Sequence, residues 1–129
     1  MFRWLLAAVL LDVVLLAPDV QASRDFYANK VGLKILNETS DRVRFQCGGD
    51  SHLVLSESTV GTTDEQTQAV FRVKDLRGEL AELRRRGVKI EDYDMPGLKT
   101  VDGIADMGFA MAAWFIDPGK NCVGIIQVK

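Results

Sequence analysis

One stretch decides the fold predicted for this chain: Asp19–Ile35, which reads DVQASRDFYANKVGLKI. A weaker copy follows at Asp75–Ile90, DLRGELAELRRRGVKI. Both begin with Asp-[Val/Leu] and end with Gly-[Leu/Val]-Lys-Ile, and the Gly comes thirteen residues after the Asp in the first copy and twelve in the second. An Asp that caps a helix and a Gly that ends it are typical of a short helix between two strands. The repeat predicts two copies of one small module, with a functional cleft between them.

Strands are predicted on both sides of the first copy. An apolar run precedes it, and Pro18 ends this run because proline has no N–H to donate to a ladder. After the helix come a short apolar run, an alternating polar–apolar run and a third strand-like run, typical of a sheet with one buried face. The four predicted strands are Asp12–Ala17, Leu33–Leu36, Arg42–Cys47 and His52–Glu57. Residues 12–57 therefore form a predicted βαβββ module.

Residues 58–67 are polar and without periodicity, which predicts a linker, and the same order of elements then restarts over residues 68–129. Asp75 is expected to cap the second helix, and its Leu side chains recur at helical spacing. The long loop 94–106 carries glycines and is interpreted either as a lid over a cavity or as a simple connection. The predicted strands of this half are Gln68–Val73, Val88–Tyr93, Phe109–Ile116 and Cys122–Val128.

Residues 1–11 form an apolar N-terminal extension with some features of a signal peptide, including an early Arg3 and a possible cleavage site at Val20-Gln21-Ala22. Cleavage there would cut the first predicted helix, and Asp12 interrupts the apolar run, which is too short to span a membrane. We therefore favour a buried first strand and no membrane association. The extension is expected to lengthen that strand, to pack on a partner, or to reflect a start codon placed too early.

Composition limits the classes of function. The chain has 129 residues, a net charge of −2 and 47% hydrophobic residues, and it has no basic stripe, so nucleic acid is not an expected partner. Its two cysteines, Cys47 and Cys122, form no C-x-x-C motif and are expected to be reduced thiols. A cytoplasmic location is predicted.

Three motifs carry a resemblance to a known family. They are Asp19-Val20-x-Ala22-Ser23-x-x-Phe26-Tyr27, Gly32-Leu33 and Trp114-Phe115-x-Asp117-Pro118-x-x-Asn121. In this order and spacing, and with the internal repeat, the chain resembles the vicinal oxygen chelate (VOC) superfamily from about Asp12 onward. That group includes glyoxalase I, bleomycin-resistance proteins, fosfomycin-resistance transferases and extradiol dioxygenases. The resemblance implies an α+β fold in which two βαβββ modules form curved mixed sheets around a shared cavity, together one VOC domain, often completed in a homodimer.

The resemblance also implies where functional side chains lie. Metal-dependent members carry ligands at four inward-facing positions, on the first and last strand of each module. Counting seven residues back from each capping Asp, and aligning the two last strands, places these positions at Asp12, Val54, Gln68 and Gly124. Because two of these residues have no ligating side-chain atom, no metal cofactor is expected. The alternative is a divalent zinc, nickel, iron or manganese ion held by Asp12, Gln68 and the chain's only histidine, His52.

Each candidate has a functional and a structural interpretation. Asp12 is either a cavity carboxylate of raised pKa that binds or deprotonates a substrate, or a residue that meets water or an Arg. His52 is a candidate general base or a surface residue, and Gln68 orients a ligand or lies on an edge strand. Gly124 leaves space beside its strand, so Phe71 and Trp114 are expected either to line a cavity for an aromatic ligand or to belong to the core.

Two hypotheses follow. The first is a metal-free, homodimeric protein of the glyoxalase/bleomycin-resistance type that binds and sequesters a small, possibly aromatic, molecule. Its ligand-binding residues would be Asp12, His52, Val54, Gln68, Phe71, Trp114 and Gly124. The second is a lyase or isomerase of the same superfamily that acts on a vicinal-oxygen substrate with a metal, and a metal-free enzyme using Asp12 or His52 as base also stays open.

Overall fold

The computed structural model describes residues 10–59, 62 and 66–129. Within these ranges the chain forms two four-stranded sheets, two α-helices and a small two-stranded hairpin. Most of the predicted extension 1–11 and part of the predicted linker 58–67 lie outside the described residues. Neither helix of the described part has the length and apolar character needed to cross a membrane.

The first module has the βαβββ order that the sequence predicts. Its sheet order is β1-β4-β3-β2, in which β1 and β4 are parallel and the other neighbours antiparallel. The helix α1 continues directly into a π-helical segment, Phe26–Val31, which the sequence did not predict. The elements are β1 (Asp12–Ala17), α1 (Val20–Asp25), β2 (Lys34–Glu38), β3 (Arg42–Gln46) and β4 (His52–Glu57).

The repeated stretch acts as the helix signals predict. The Asp19 carboxylate accepts a hydrogen bond from the backbone N–H of Ala22 at 3.0 Å, which satisfies one N–H that the first turn leaves unpaired. Gly32 ends the helical segment with a φ of +87°, a conformation that glycine adopts without steric cost. The second copy repeats the cap, because the Asp75 carboxylate accepts from the N–H of Gly78 at 3.1 Å.

The second module forms a sheet of the same kind, in the order β5-β10-β9-β8. The strands β5 and β10 are parallel, as β1 and β4 are in the first module. The remaining neighbours are antiparallel, and a hairpin of β6 and β7 lies outside the sheet. The elements are β5 (Thr67–Arg72), α2 (Leu76–Arg85), β6 (Asp94–Met95), β7 (Leu98–Lys99), β8 (Ala105–Asp106), β9 (Ala110–Ile116) and β10 (Cys122–Val128).

The predicted strand Val88–Tyr93 is wrong. This segment forms no strand, although the Glu91 N–H donates to the Trp114 carbonyl of β9 at 2.8 Å. The edge position falls to the two-residue strand β8. Val88 and Ile90 are buried in the core, so their alternation is that of an extended segment packed on the core, which a sequence pattern cannot distinguish from a paired strand.

The loop that follows is held by hydrogen bonds to Asp92, whose carboxylate accepts from the Thr100 hydroxyl at 3.1 Å and from the Gly103 N–H at 2.9 Å.

A buried polar cluster joins the two modules. The hydroxyl of Tyr27 donates to Oδ2 of Asp117 at 2.7 Å, and Asn121 Nδ2 donates to the backbone carbonyl of Leu16 at 2.9 Å. The other oxygen of Asp117 accepts from the N–H groups of Gly119 and Asn121, both at 2.8 Å. The Asp-Pro-x-x-Asn motif is therefore a turn whose side chains reach back to the first module.

One hydrophobic cluster includes side chains of both modules. In each sheet one face contributes to it, through Leu15, Phe45 and Leu55 in the first module and Phe115 and Ile125 in the second. Most of the candidate functional residues lie on the opposite face of each sheet, whereas Phe71 lies on the core face.

Candidate functional site

The first-sheet face, defined by Asp12, Val14, Arg44, His52 and Val54, lies on the side of β1, β3 and β4 away from the core. Side chains alternate along a strand, so these residues share the side opposite to the core residues Leu15, Leu53 and Phe45. Val54 is itself buried on this side. The strand register pairs Asp12 with His52, and Val54 with both Val14 and Arg44. The predicted residues Asp12, His52 and Val54 are thus brought together.

Arg44 is the side chain at the centre of this face, and sequence reasoning missed it. Its Nη1 donates to Asp12 Oδ2 at 2.6 Å and lies 3.3 Å from His52 Nδ1. His52 Nδ1 is also 3.3 Å from Asp12 Oδ1. The three side chains are about one-third exposed or less, so they form a partly solvated Asp–Arg–His cluster.

The charge state of Asp12 corrects one expectation. The hydrogen bond from Arg44, aided by its positive charge and by His52, holds the pKa of the Asp12 carboxyl below its ordinary value, while partial desolvation opposes this. This direction is opposite to the one expected of a cavity acid, and the contact with Arg44 agrees with the interpretation in which Asp12 meets an Arg. A carboxylate held ionised by a guanidinium orients that guanidinium and is a weak proton acceptor.

The second-sheet face, defined by Thr67, Val70, Trp114 and Gly124, lies on the side of the second sheet away from the core. Register places Gly124 beside Trp114 on one side and Val70 on the other. The indole N–H of Trp114 donates to the Thr67 hydroxyl at 3.2 Å, and a Cβ at Gly124 would lie 3.3 Å from the indole nitrogen. The space that Gly124 leaves is therefore bordered closely by the Trp114 ring.

A β-bulge displaces Gln68 from the position predicted for it. Cys122 pairs with Thr67 and Val123 pairs with Ala69, so Gln68 is the extra residue of β5 and is exposed. Because of this bulge, counting seven residues back from Asp75 reaches Gln68, whereas the residue that pairs with Cys122 is Thr67. Thr67, which sequence reasoning missed, contacts Trp114 instead.

Phe71 lies on the opposite face from the one expected. It pairs with Ile125, a core residue, and lines a cavity of about 170 Å³ together with Leu83 and Phe115. Strand alternation, with Val70 on the second-sheet face, requires this orientation. Phe71 therefore packs against the core, but it also lines a small cavity together with His52 and Val70. It does not share the surface of Trp114 and Gly124.

A small cavity lies between the two modules beside His52. It has a volume of about 100 Å³ and is lined by His52 and Leu53 from the first module and by Ala69 and Val70 from the second. Sites for drug-sized ligands typically enclose about 300–1,000 Å³. A larger ligand would therefore need space beyond this cavity.

The described side chains do not fit the divalent metal that the fold implies. Arg44 Nη1 contacts both Asp12 and His52, so a cationic group already lies against two of the three proposed ligands. The third, Gln68, is the exposed bulge residue of the other sheet. Across residues 10–59, 62 and 66–129 no group of three His, Cys, Asp or Glu side chains is placed to hold a metal ion.

The chain is an α+β protein with open curved sheets, built from two βαβββ modules. Each module has a sheet that buries one face and carries polar or aromatic residues on the other. A family model of the Glyoxalase/Bleomycin resistance protein/Dioxygenase superfamily matches residues 9–121. The chain belongs to this superfamily, as the resemblance to VOC proteins predicted. No curated protein matches the sequence.

Solved structures show the same fold at low sequence identity. The bleomycin-binding protein of bleomycin-producing Streptomyces verticillus, in complex with copper(II)-bleomycin, has a TM-score of 0.72 at 19% identity, with all of both chains covered. TnmS3, an antibiotic-binding protein from Streptomyces sp. CB03234, has a TM-score of 0.69 at 23% identity, covering 95% of this chain and 98% of its own. A glyoxalase/bleomycin resistance protein/dioxygenase from Alicyclobacillus acidocaldarius has a TM-score of 0.73 at 17% identity, covering 94% and 92%.

Proposed function

We propose that this protein binds a small organic molecule without a metal, in the manner of a sequestering or resistance protein. The observation that carries the proposal is the contact of Arg44 Nη1 with both Asp12 and His52, which places a fixed organic cation where the metal ligands would converge. Two solved relatives of this fold are described as binding an antibiotic or bleomycin, which supports a binding role. Trp114 on the second-sheet face offers an aromatic surface on which a planar ligand can stack.

We also propose that the functional unit is a homodimer. Val14 and Val70 lie in the middle of their strands, yet they are 50% and 56% exposed. A second copy that covers these faces would bury them and enlarge the small cavity beside His52 to the size of a ligand site. A cytoplasmic location remains a prediction from the sequence.

The binding proposal is tested by calorimetric titration of the purified chain with a panel of planar aromatic compounds, alongside elemental analysis. We expect a compound that binds with micromolar affinity, no stoichiometric zinc, nickel, iron or manganese, and loss of binding in Trp114→Leu. Phe26→Leu is the matched control, because it also replaces an aromatic residue by Leu but at a position packed against the core, and it should retain binding. Stoichiometric metal that is lost on replacing Asp12 by Ala would refute the proposal.

A second candidate is an enzyme of the same superfamily, a lyase or isomerase. It is favoured by the 3.3 Å contact of Asp12 Oδ1 with His52 Nδ1, because a carboxylate beside an imidazole is a common arrangement of a general base. Turnover of a vicinal-oxygen substrate that disappears in His52→Gln, with unchanged substrate binding, would establish this function. Persistence of turnover in that variant would leave His52 without a catalytic role.

A further inference from the structure

The outer part of the first-sheet face holds a pocket beside the Asp–Arg–His cluster. It has a volume of about 210 Å³, several times the roughly 30 Å³ of a liquid water molecule. Apart from two apolar valines, the residues around it are polar or cationic. The pocket, named here the Arg42–Arg44 pocket, is lined by Asn37, Thr39, Arg42, Val43, Arg44 and Val54.

The sequence of β3 places two guanidinium groups on one side of the sheet. Arg42 and Arg44 alternate with Val43 and Phe45, which are 2% and 0% exposed. Because the alternating side chains of a strand share a face, both arginines lie opposite the core. Register then places Asn37 of β2 beside Arg44, so an amide and two cations surround the same space.

Most of the hydrogen-bond donors of these arginines are unused. Arg44 contacts Asp12 and His52 through Nη1 alone, so its Nη2 and Nε make no hydrogen bond within the described residues. The guanidinium of Arg42 makes no ion pair with any residue of the described ranges. The nearby acid Glu38 does not compete, because Arg24 binds it at 2.7 Å.

Asp41, the acid next to Arg42 in sequence, is hydrogen-bonded to Thr39, which itself lines the pocket. Its Oδ1 accepts a hydrogen bond from the Thr39 hydroxyl at 2.8 Å, at the turn that joins β2 to β3. The lining itself contains two guanidinium groups and no carboxylate, while Asp12 pairs with Arg44 and Asp41 binds the Thr39 hydroxyl. Asp12 holds one end of the Arg44 guanidinium and leaves its other donors available.

We propose that the Arg42–Arg44 pocket binds an oxyanion group, a carboxylate or a phosphate, that the ligand carries. A guanidinium presents parallel N–H donors that match two oxygens of such a group, and charge-assisted bonds of this kind are the strong ones. This inference rests on the proposed function, because it assigns one end of the ligand of the first-sheet face. The ligand class is thereby narrowed to planar organic acids and phosphate esters.

The test uses phenyl phosphate, benzoate, inorganic phosphate and neutral benzyl alcohol, titrated into the full ¹⁵N-labelled chain. We expect the three anions, but not benzyl alcohol, to shift the backbone amide signals of Asn37, Arg42, Arg44 and Val54. Arg42→Gln should weaken phenyl phosphate binding about tenfold or more, since a hydrogen bond to a charged group contributes about 1.5–3 kcal/mol. Arg42→Lys, which keeps the charge but not the paired donors, should give an intermediate loss.

Arg85→Gln is the matched control, because Arg85 is an exposed arginine of α2 that pairs with Glu82 in the other module. Equal weakening in Arg85→Gln and Arg42→Gln would show that anions respond only to net charge, and would overturn the proposal. Anions that shift no signal would also overturn it, even if benzyl alcohol binds and the proposed function stands. Inorganic phosphate that shifts these signals while no aromatic compound binds would support the pocket and refute the proposed function.

Discussion

Replacing Tyr27 by Phe tests the polar cluster that joins the two modules. Tyr27 is fully buried, and its hydroxyl donates to the buried Asp117 carboxylate at 2.7 Å. Removing the hydroxyl leaves that oxygen with Asn121 Nδ2 at 3.0 Å, so the carboxylate keeps a partner but loses its shortest bond. Hydrogen bonds to charged groups contribute about 1.5–3 kcal/mol, so we expect the free energy of unfolding to fall by about 2 kcal/mol. For a chain of this length the Tm should fall by roughly 8 °C.

The assay is urea unfolding followed by circular dichroism, with linear extrapolation to water. Thr39→Val is the matched control, because it also removes a hydroxyl that donates to a carboxylate, that of Asp41 at 2.8 Å, but on the surface. The control should change stability by less than about 0.5 kcal/mol. A loss in Tyr27→Phe as small as that of the control would refute the assigned role of the cluster.

The same pair of proteins gives a pH signature. Burial, and then the charge of Asp117, raise the pKa of Tyr27 well above its ordinary value of 10.0. The folded state keeps the phenolic proton, while the unfolded chain releases it near pH 10. The stabilisation from Tyr27 is therefore complete below that pH and is lost as the pH rises above it. The stability difference between wild type and Tyr27→Phe should shrink above pH 10, and a constant difference up to pH 11 would contradict this account.

Two further outcomes are expected. Gly103→Ala should lower the free energy of unfolding in urea by more than about 2 kcal/mol, because the φ of Gly103 is +81° and the added Cβ would lie 2.6 Å from Ile90 Cγ2. Gly97→Ala is the control, because Gly97 has the same φ but open space around it, and it should lower the free energy of unfolding by only about 1 kcal/mol. In a carbon-13 NMR titration the carboxyl of Asp12 should have a pKa below 3.8, and this pKa should rise in Arg44→Met. An Asp12 pKa that does not move in that variant would exclude Arg44 as the cause.

The fold was predictable because its signals are local. Helix caps act within one turn, as they do at Asp19, at Asp75 and at the helix-ending Gly32. The spacing of these residues in the sequence therefore predicts the position of the helix in each module. The failure at Val88–Tyr93 has the opposite cause. Whether an extended segment pairs with a strand depends on contacts with residues far away in sequence, and here β8 occupies the sheet edge beside β9.

The site was only partly predictable for a related reason. Asp12 and His52 lie together because β1 and β4 are parallel neighbours in a register that the module order implies. Gln68 was misplaced because a bulge in β5 adds one residue between Thr67 and Ala69. The bulge leaves Gln68 without a partner in the register of β10, and no sequence pattern at Gln68 signals it.

Arg44 could have been found, since it stands in the alternating run Arg42-Val43-Arg44-Phe45 whose apolar members must be buried. Its contact with Asp12 depends on the strand order, because β3 lies beside β4 and the register places Arg44 next to Val54. A guanidinium in that place satisfies the carboxylate and the imidazole that the first-sheet face presents. The substitution of a fixed organic cation for a bound metal would change the chemistry of the site, because a guanidinium binds oxyanions but offers no open coordination position at which a substrate oxygen could be activated.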